Sequence, residues 1–97
     1  MEKKYLEKNK SCKVTFILPS AIEAHSAAVV GEFNDWDNQA TPMQQDKDGL
    51  WKAEIKLEAG REYEFRYHVN GEEWHNDWDA DRYVMHPYGG ENSVVVT

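Results

Sequence analysis

Cysteine is almost absent from this sequence. Cys12 is the only one among 97 residues, so no intramolecular disulfide can form. It sits at an apolar position of a strand-like run, where a small buried hydrophobe is expected rather than a reactive thiol. Cationic residues are also in short supply, with eleven Lys and Arg against eighteen Asp and Glu and a formal net charge of -7. Binding a phosphate backbone requires a stripe of Lys and Arg that releases counterions, so the composition predicts no nucleic-acid partner. Long apolar runs are missing as well. The longest, Cys12 to Leu18, is interrupted by Lys13 and Thr15 and falls far short of the roughly 18 to 20 residues a helix needs to cross a bilayer, which predicts no membrane partner. The basic start, Met1 to Lys10, is followed by no apolar stretch of the kind a secretory signal carries, and a cytoplasmic protein is expected. No apolar 3.6-residue period is long enough for a core helix. The length allows one domain, and a domain this small buries only ~60 to 70% of its unfolded surface, so a shallow surface site is expected in place of a deep catalytic cavity.

Sites for metals and for catalysis lack their signatures. Asp77, Asp79 and Asp81 have the spacing of the first three ligands of a calcium loop, but Arg82 stands where the sharp turn wants Gly and Tyr88 where a bidentate Glu belongs. Cys12, His25, His68, His75 and His86 show no paired zinc-ligand spacing, and His75 and His86 read as loop-surface or aromatic-packing residues. Glycoside hydrolysis needs two carboxyl groups at a set separation, one in an apolar pocket; the many acidic residues here fall on polar strand faces and turns and single out no such pair. Neither a Ser-His-Asp nor a Cys-His pattern is visible. The sequence predicts no metal, no cofactor and no enzyme activity.

What is present is alternation. Residues 1–11 read as a polar, solvated lead-in, since residues 1 to 13 hold five Lys against two Glu and lack an apolar face, whereas the remainder holds six basic and sixteen acidic groups. Residues 12–97 read as one β domain. Cys12, Val14, Phe16 and Leu18 alternate with polar residues and end at Pro19; Ala27 to Phe33 makes a second short strand, followed by a long polar loop, Asn34 to Gly49. Trp51, Ala53, Ile55 and Leu57 line one face of the clearest strand. Tyr63, Phe65, Tyr67 and Val69 line the next, with a connection at Glu58 to Arg61 between them. Asn70-Gly71 is a strong hairpin signal, returning through a short strand at Glu72 to His75, and Val94 to Val96 supply a last strand. About seven short strands predict an all-β fold, an antiparallel β-sandwich of immunoglobulin-like type without the Cys pair of antibody domains. Asn-Asp-Trp-Asp occurs at residues 34 to 37 and again at 76 to 79, which reads as shared turn chemistry.

The tryptophans divide into two groups. Trp51 is in phase with Ala53 and Ile55 and is expected in the core. Trp36, Trp74 and Trp78 lie among Asn, Asp and Glu in loop and hairpin segments that keep them near water. Singly, each fits either a cap on the sandwich end or a platform for a sugar ring. Together, interleaved with Asn, Asp, His and Arg, they suit a surface that stacks on pyranose faces while polar groups take the hydroxyls.

Val30-Gly31-Glu32-Phe33-Asn34-Asp35-Trp36 resembles the early-set domain found at the N-terminus of isoamylase and glycogen-branching enzymes, and is similar to the glycogen-binding domain of the AMP-activated protein kinase β subunit; both belong to carbohydrate-binding module family 48. Asp48-Gly49-Leu50-Trp51, Glu58 to Tyr67, Val69-Asn70-Gly71 and Pro87 to Val95 follow in the same order, so the likeness covers about residues 12 to 97. It implies a non-catalytic module for an α-1,4-glucan such as glycogen or a maltooligosaccharide, with Trp36 and Trp74 as stacking platforms, Arg66 at the position of a hydroxyl-binding lysine, and Asn92 bonding a glucose hydroxyl. Tyr88 stands where the glycogen-binding relatives carry an aliphatic residue that enters a cyclic sugar, and Gly90 where they carry Thr. These departures resemble the isoamylase side of the family and carry an alternative: a module that docks on a glycan-metabolising enzyme and binds little sugar itself.

Overall fold

The computed structural model describes residues 1–97. Nine strands and one short 3-10 turn follow each other as β1 (Glu2–Leu6), β2 (Ser11–Ile17), β3 (Ala27–Gly31), the 3-10 turn Glu32–Asn34, β4 (Gln44–Gln45), β5 (Trp51–Glu58), β6 (Glu62–Val69), β7 (Glu73–His75), β8 (Arg82–Met85) and β9 (Glu91–Val96). Two antiparallel sheets form, one in the order β1-β2-β5-β4 and the other β3-β6-β9-β8, with β7 added to β6. This is the expected immunoglobulin-like sandwich.

Period-two alternation builds the core. On β2, Cys12, Val14 and Phe16 stand directly opposite Leu57, Ile55 and Ala53 of β5, while Val29 of β3, Phe65, Tyr67 and Val69 of β6, and Val95 of β9 face them from the other sheet within one buried cluster. Phe16 and Phe65 meet across the sheets edge to face, with centroids 4.8 Å apart. Each such fully buried side chain contributes ~1.5–3 kcal/mol. Trp51 joins this cluster as expected but is only half-buried, because it stands at the first residue of β5 on the rim.

The N-terminal segment departs from the lead-in read off the sequence. Glu2 to Leu6 form an edge strand paired along its whole length with Ser11 to Thr15 of β2. Its polarity is that of a protected edge, where Lys side chains discourage pairing with another chain. Lys3 and Tyr5 point across to the second sheet, Lys3 Nζ reaching Asp81 Oδ2 at 2.6 Å and Tyr5 donating its hydroxyl to Thr97 O at 2.6 Å. The strand expected over Ala27 to Phe33 ends at Gly31, where the 3-10 turn begins, and two further strands, β4 and β8, raise the count to nine.

Candidate functional site

Alternation on β6 decides the site. With Phe65, Tyr67 and Val69 turned inward, Glu64, Arg66 and His68 must face outward from the second sheet. Register adds their neighbours: Val30 is opposite Arg66 and Ala28 opposite His68 on β3, and Trp74 of β7 is opposite His68 on the other side. Phe65 pairs with Ser93, so Asn92 comes next to Arg66 on the outward face of β9.

Trp74 owes its place to the hairpin. Asn70 and Gly71 both take positive φ, 56° and 74°, the conformation a tight hairpin turn requires and the reason that Asn-Gly is preferred there. Glu72 N–H closes the turn on Val69 O at 3.2 Å, and Asn70 Oδ1 accepts from His25 N–H at 2.7 Å, which fastens the turn to the chain entering β3. Trp74 remains 47% exposed and leans on His68, with ring centroids 4.4 Å apart and planes at 48°. Sequence reasoning passed over His68 as a partner of Trp74. The turn signal held the information, since closing the hairpin at Asn70-Gly71 brings the two residues opposite each other.

Arg66 forms no ion pair, and its Nε is buried without an acceptor. Buried donors are normally satisfied, so the unpaired Nε is an exception, and the guanidinium as a whole is held by no carboxylate of the protein. Its neighbour Asn92 is 3% exposed and donates Nδ2 to Glu64 Oε1 at 3.0 Å, which leaves Oδ1 with no protein donor. Glu64 is held in turn, its backbone N–H donating to Glu32 Oε1 at 2.7 Å. The likeness alone pointed to Asn92, and the Glu64 contact that orients it had no sequence signal, because it joins two strands 28 residues apart.

Trp36 sits just past the 3-10 turn with φ 57°, its N–H donating to Gly31 O at 2.9 Å. Asn34 fixes this turn by accepting from Gly31 N–H and donating to Val29 O and Thr41 Oγ1, each at 3.0 Å. Trp36 is 39% exposed in the loop that follows β3 and the 3-10 turn. Tyr88 is 94% exposed at the tip of the β8–β9 turn and touches the His86 ring at 5.6 Å. The structure therefore brings Arg66, Trp74 and Asn92 onto one sheet face, places Trp36 in the loop after the 3-10 turn, and leaves Tyr88 standing in solvent.

Trp78 is set apart. It is the most exposed tryptophan and lines an apolar groove of about 340 Å³ with Met1, Leu18 and Leu50 at the end of the sandwich. Asp77, beside it, turns inward, accepting the Tyr67 hydroxyl at 2.7 Å, while Asp81 pairs with Lys3. The two Asn-Asp-Trp-Asp segments share their turn chemistry in a shifted form, Asp37 Oδ1 accepting from Gln39 N–H in the first and Asp77 Oδ1 from Asp79 N–H in the second. Among the titratable groups of the β7 hairpin, Glu73 is lowered below its ordinary value by hydrogen bonds from His75 and Asn70.

The molecule is an immunoglobulin-like sandwich that carries an exposed Trp74, an Arg66 without an ion pair and a partly satisfied Asn92 on one sheet face. Comparison with known proteins makes the class specific. The family described as carbohydrate-binding module 48 (isoamylase N-terminal domain) matches residues 5–89, and the chain belongs to it. Its similar relatives include the 1,4-alpha-glucan branching enzyme GlgB of Synechococcus sp. (strain CC9902), 36% identical over 78 residues, 78% of this chain and 10% of that protein. Another is the GlgB of Prochlorococcus marinus (strain MIT 9211), 36% identical over 89 residues, 91% of this chain and 11% of that protein. The 1,4-alpha-glucan-branching enzyme of Emericella nidulans is 45% identical over 42 residues, 43% of this chain and 6% of that protein. The chain thus spans about a tenth of the length of the first two.

Proposed function

We propose that this chain is a non-catalytic module that binds α-1,4-glucan, of the glycogen or maltooligosaccharide type, on the outward face of the β3-β6-β9-β8 sheet. The observation that carries this reading is the meeting, in a member of a carbohydrate-binding family, of an exposed Trp74, a guanidinium without an acceptor on Arg66 and an open Asn92 Oδ1 on one face. A glucose ring offers an apolar C–H face to a tryptophan and hydroxyls to the polar groups around it. Trp36 and Trp74 are the stacking platforms at ~0.5–1.5 kcal/mol each. Arg66 and Asn92 add hydrogen bonds of similar net size, and Tyr88 gives an aromatic contact from the neighbouring turn. Against the cost of association these terms leave a Kd of roughly ten micromolar to millimolar. The branching-enzyme names of the relatives support glucan as the ligand class. Co-sedimentation of the purified chain with glycogen tests the reading: retention is expected, and clean passage through the pellet fraction refutes it.

A second reading, docking on an α-glucan-metabolising enzyme, is favoured by one observation, the 64% exposed Trp78 and its largely apolar groove, which Arg66 does not line. In that reading the two surfaces serve two partners. Loss of enzyme binding on Trp78→Ala with glycogen retention unchanged is the expected result.

A further inference from the structure

Beside the Trp74 platform, on the other side of His68, lies an open groove of about 310 Å³. That size falls at the lower end of the ~300–1,000 Å³ common for small-molecule sites. Its floor is Ala28, its walls are His68 on one side and the Asn38–Gln39 turn with Pro42 on the other, and Ser26 closes one end. The position follows from register. Ala28 and Trp74 are the two cross-strand neighbours of His68, so groove and platform are separated by two strand spacings, roughly 10 Å.

The chemistry of the lining is selective. No carboxylate, ammonium or guanidinium group belongs to it, which disfavours a phosphate or a cation. The Ser26 hydroxyl, the Asn38 and Gln39 amides and the His68 ring make no hydrogen bond to protein, whereas several backbone groups around them do. Asp37 Oδ1 holds Gln39 N–H at 2.9 Å, Thr41 O accepts from Val29 N–H at 3.1 Å, and Met43 N–H donates to Ala27 O at 2.8 Å. Backbone bonds thus hold the walls, while the side-chain donors and acceptors are unbonded and are ordered only when a ligand takes them. Uncharged donors and acceptors over an Ala and Pro surface complement a neutral polyol with an apolar face.

We infer that the groove between His68 and the Asn38–Gln39 turn is an additional subsite for a further glucosyl unit of a glucan already stacked on Trp74, with Asn38 and Gln39 bonding its hydroxyls. This rests on the glucan-binding reading above and extends it: His68 is the ridge shared by platform and groove, and the site selects glucans long enough to pass over it.

The test compares maltotriose with maltoheptaose by calorimetric titration. The parent protein is expected to bind maltoheptaose more tightly. Asn38→Ala combined with Gln39→Ala should weaken maltoheptaose at least threefold and leave maltotriose unchanged, while Trp74→Ala weakens both. Ser26→Tyr, which fills the groove from its end, should reproduce the same split, and thermal melts of both variants establish that they remain folded. In the parent, the Ala28 methyl and the Gln39 side-chain amide resonances should move with maltoheptaose and not with maltotriose. Equal weakening of both sugars, or parent-like binding of maltoheptaose by the double variant with a stationary Ala28 methyl, overturns the subsite and leaves the glucan-binding reading intact. A parent that binds neither sugar overturns both, and shows it before any variant is made.

Discussion

Gly90 leaves the space that Arg66 uses: a Cβ built on Gly90 would lie 3.3 Å from Arg66 Nη2, closer than nearly all real contacts of this kind. The Arg66 guanidinium therefore reaches the β8–β9 turn, where a side chain at position 90 would make it give way by a few tenths of an ångström. Gly90 also takes φ 75°, a region that side chains rarely enter. Gly90→Thr is expected to shift the guanidinium slightly and to lower glucan affinity less than Arg66→Ala does, at a stability cost above ~1 kcal/mol from the backbone. Arg66→Lys should weaken binding less than Arg66→Ala, because the cation remains while the planar fork is lost. Titration of the three variants with maltoheptaose checks the order; parent-like affinity in Gly90→Thr would show that the glycine serves only the turn.

The exposed and the half-buried tryptophans should behave differently. Trp36→Ala and Trp74→Ala are expected to reduce α-glucan affinity more than about tenfold, ~1.4 kcal/mol, with little change in urea midpoint. Trp51→Ala should instead destabilise the fold by about 2–3 kcal/mol, below the ~3–5 kcal/mol of a fully buried tryptophan, since Trp51 stands on the core rim. A Trp36 or Trp74 variant that loses stability like Trp51→Ala is a structural cap.

The Tyr67 hydroxyl is a second place where core and loop are joined. Tyr67 is fully buried, donates to Asp77 Oδ2 at 2.7 Å, and has Ile17 O at 3.3 Å. Burial first, and the nearby Asp77 charge next, push its ionisation well above the ordinary tyrosine value, so it remains a donor throughout the accessible pH range. Tyr67→Phe leaves the Asp77 carboxylate, 3% exposed, without this donor, and a loss of ~1–3 kcal/mol is expected in urea denaturation. An unchanged midpoint would mean that water replaces the hydroxyl.

Acid should loosen the N-terminal strand. Burial alone would raise the Asp81 value, but hydrogen bonds from Lys3 and from Val96 N–H, with the charges of Lys3 and the N-terminus, hold it below the ordinary one. A carboxylate depressed in the folded state contributes stability above its unfolded value, near ~3.9, and loses it as pH falls through the lower folded value. Urea midpoints should therefore drop as pH falls below about 4, and Lys3→Ala should show a smaller drop. Parallel curves for parent and variant would remove the latch from the account.

The strands with one apolar face, β2, β5 and β6, were legible in the sequence because burial imposes a period of two on residues such as Cys12, Val14, Phe16 and Leu57. The Asn70-Gly71 turn was legible because few dipeptides accept two positive φ angles in succession. Glu2 to Leu6 and Arg82 to Met85 were not read as strands. They lie at sheet edges where no face is wholly buried, so the pattern that announces a strand never forms. The same division runs through the site. Polar surroundings were enough to bring Trp36, Trp74 and Trp78 to the surface. That Trp74 shares a face with Arg66 and Asn92, that Gly90 approaches the guanidinium, and that His68 divides a platform from a groove were decided by strand register and by the loops it brings together. Register couples residues tens of positions apart through backbone hydrogen bonds, and no local sequence preference encodes that distance.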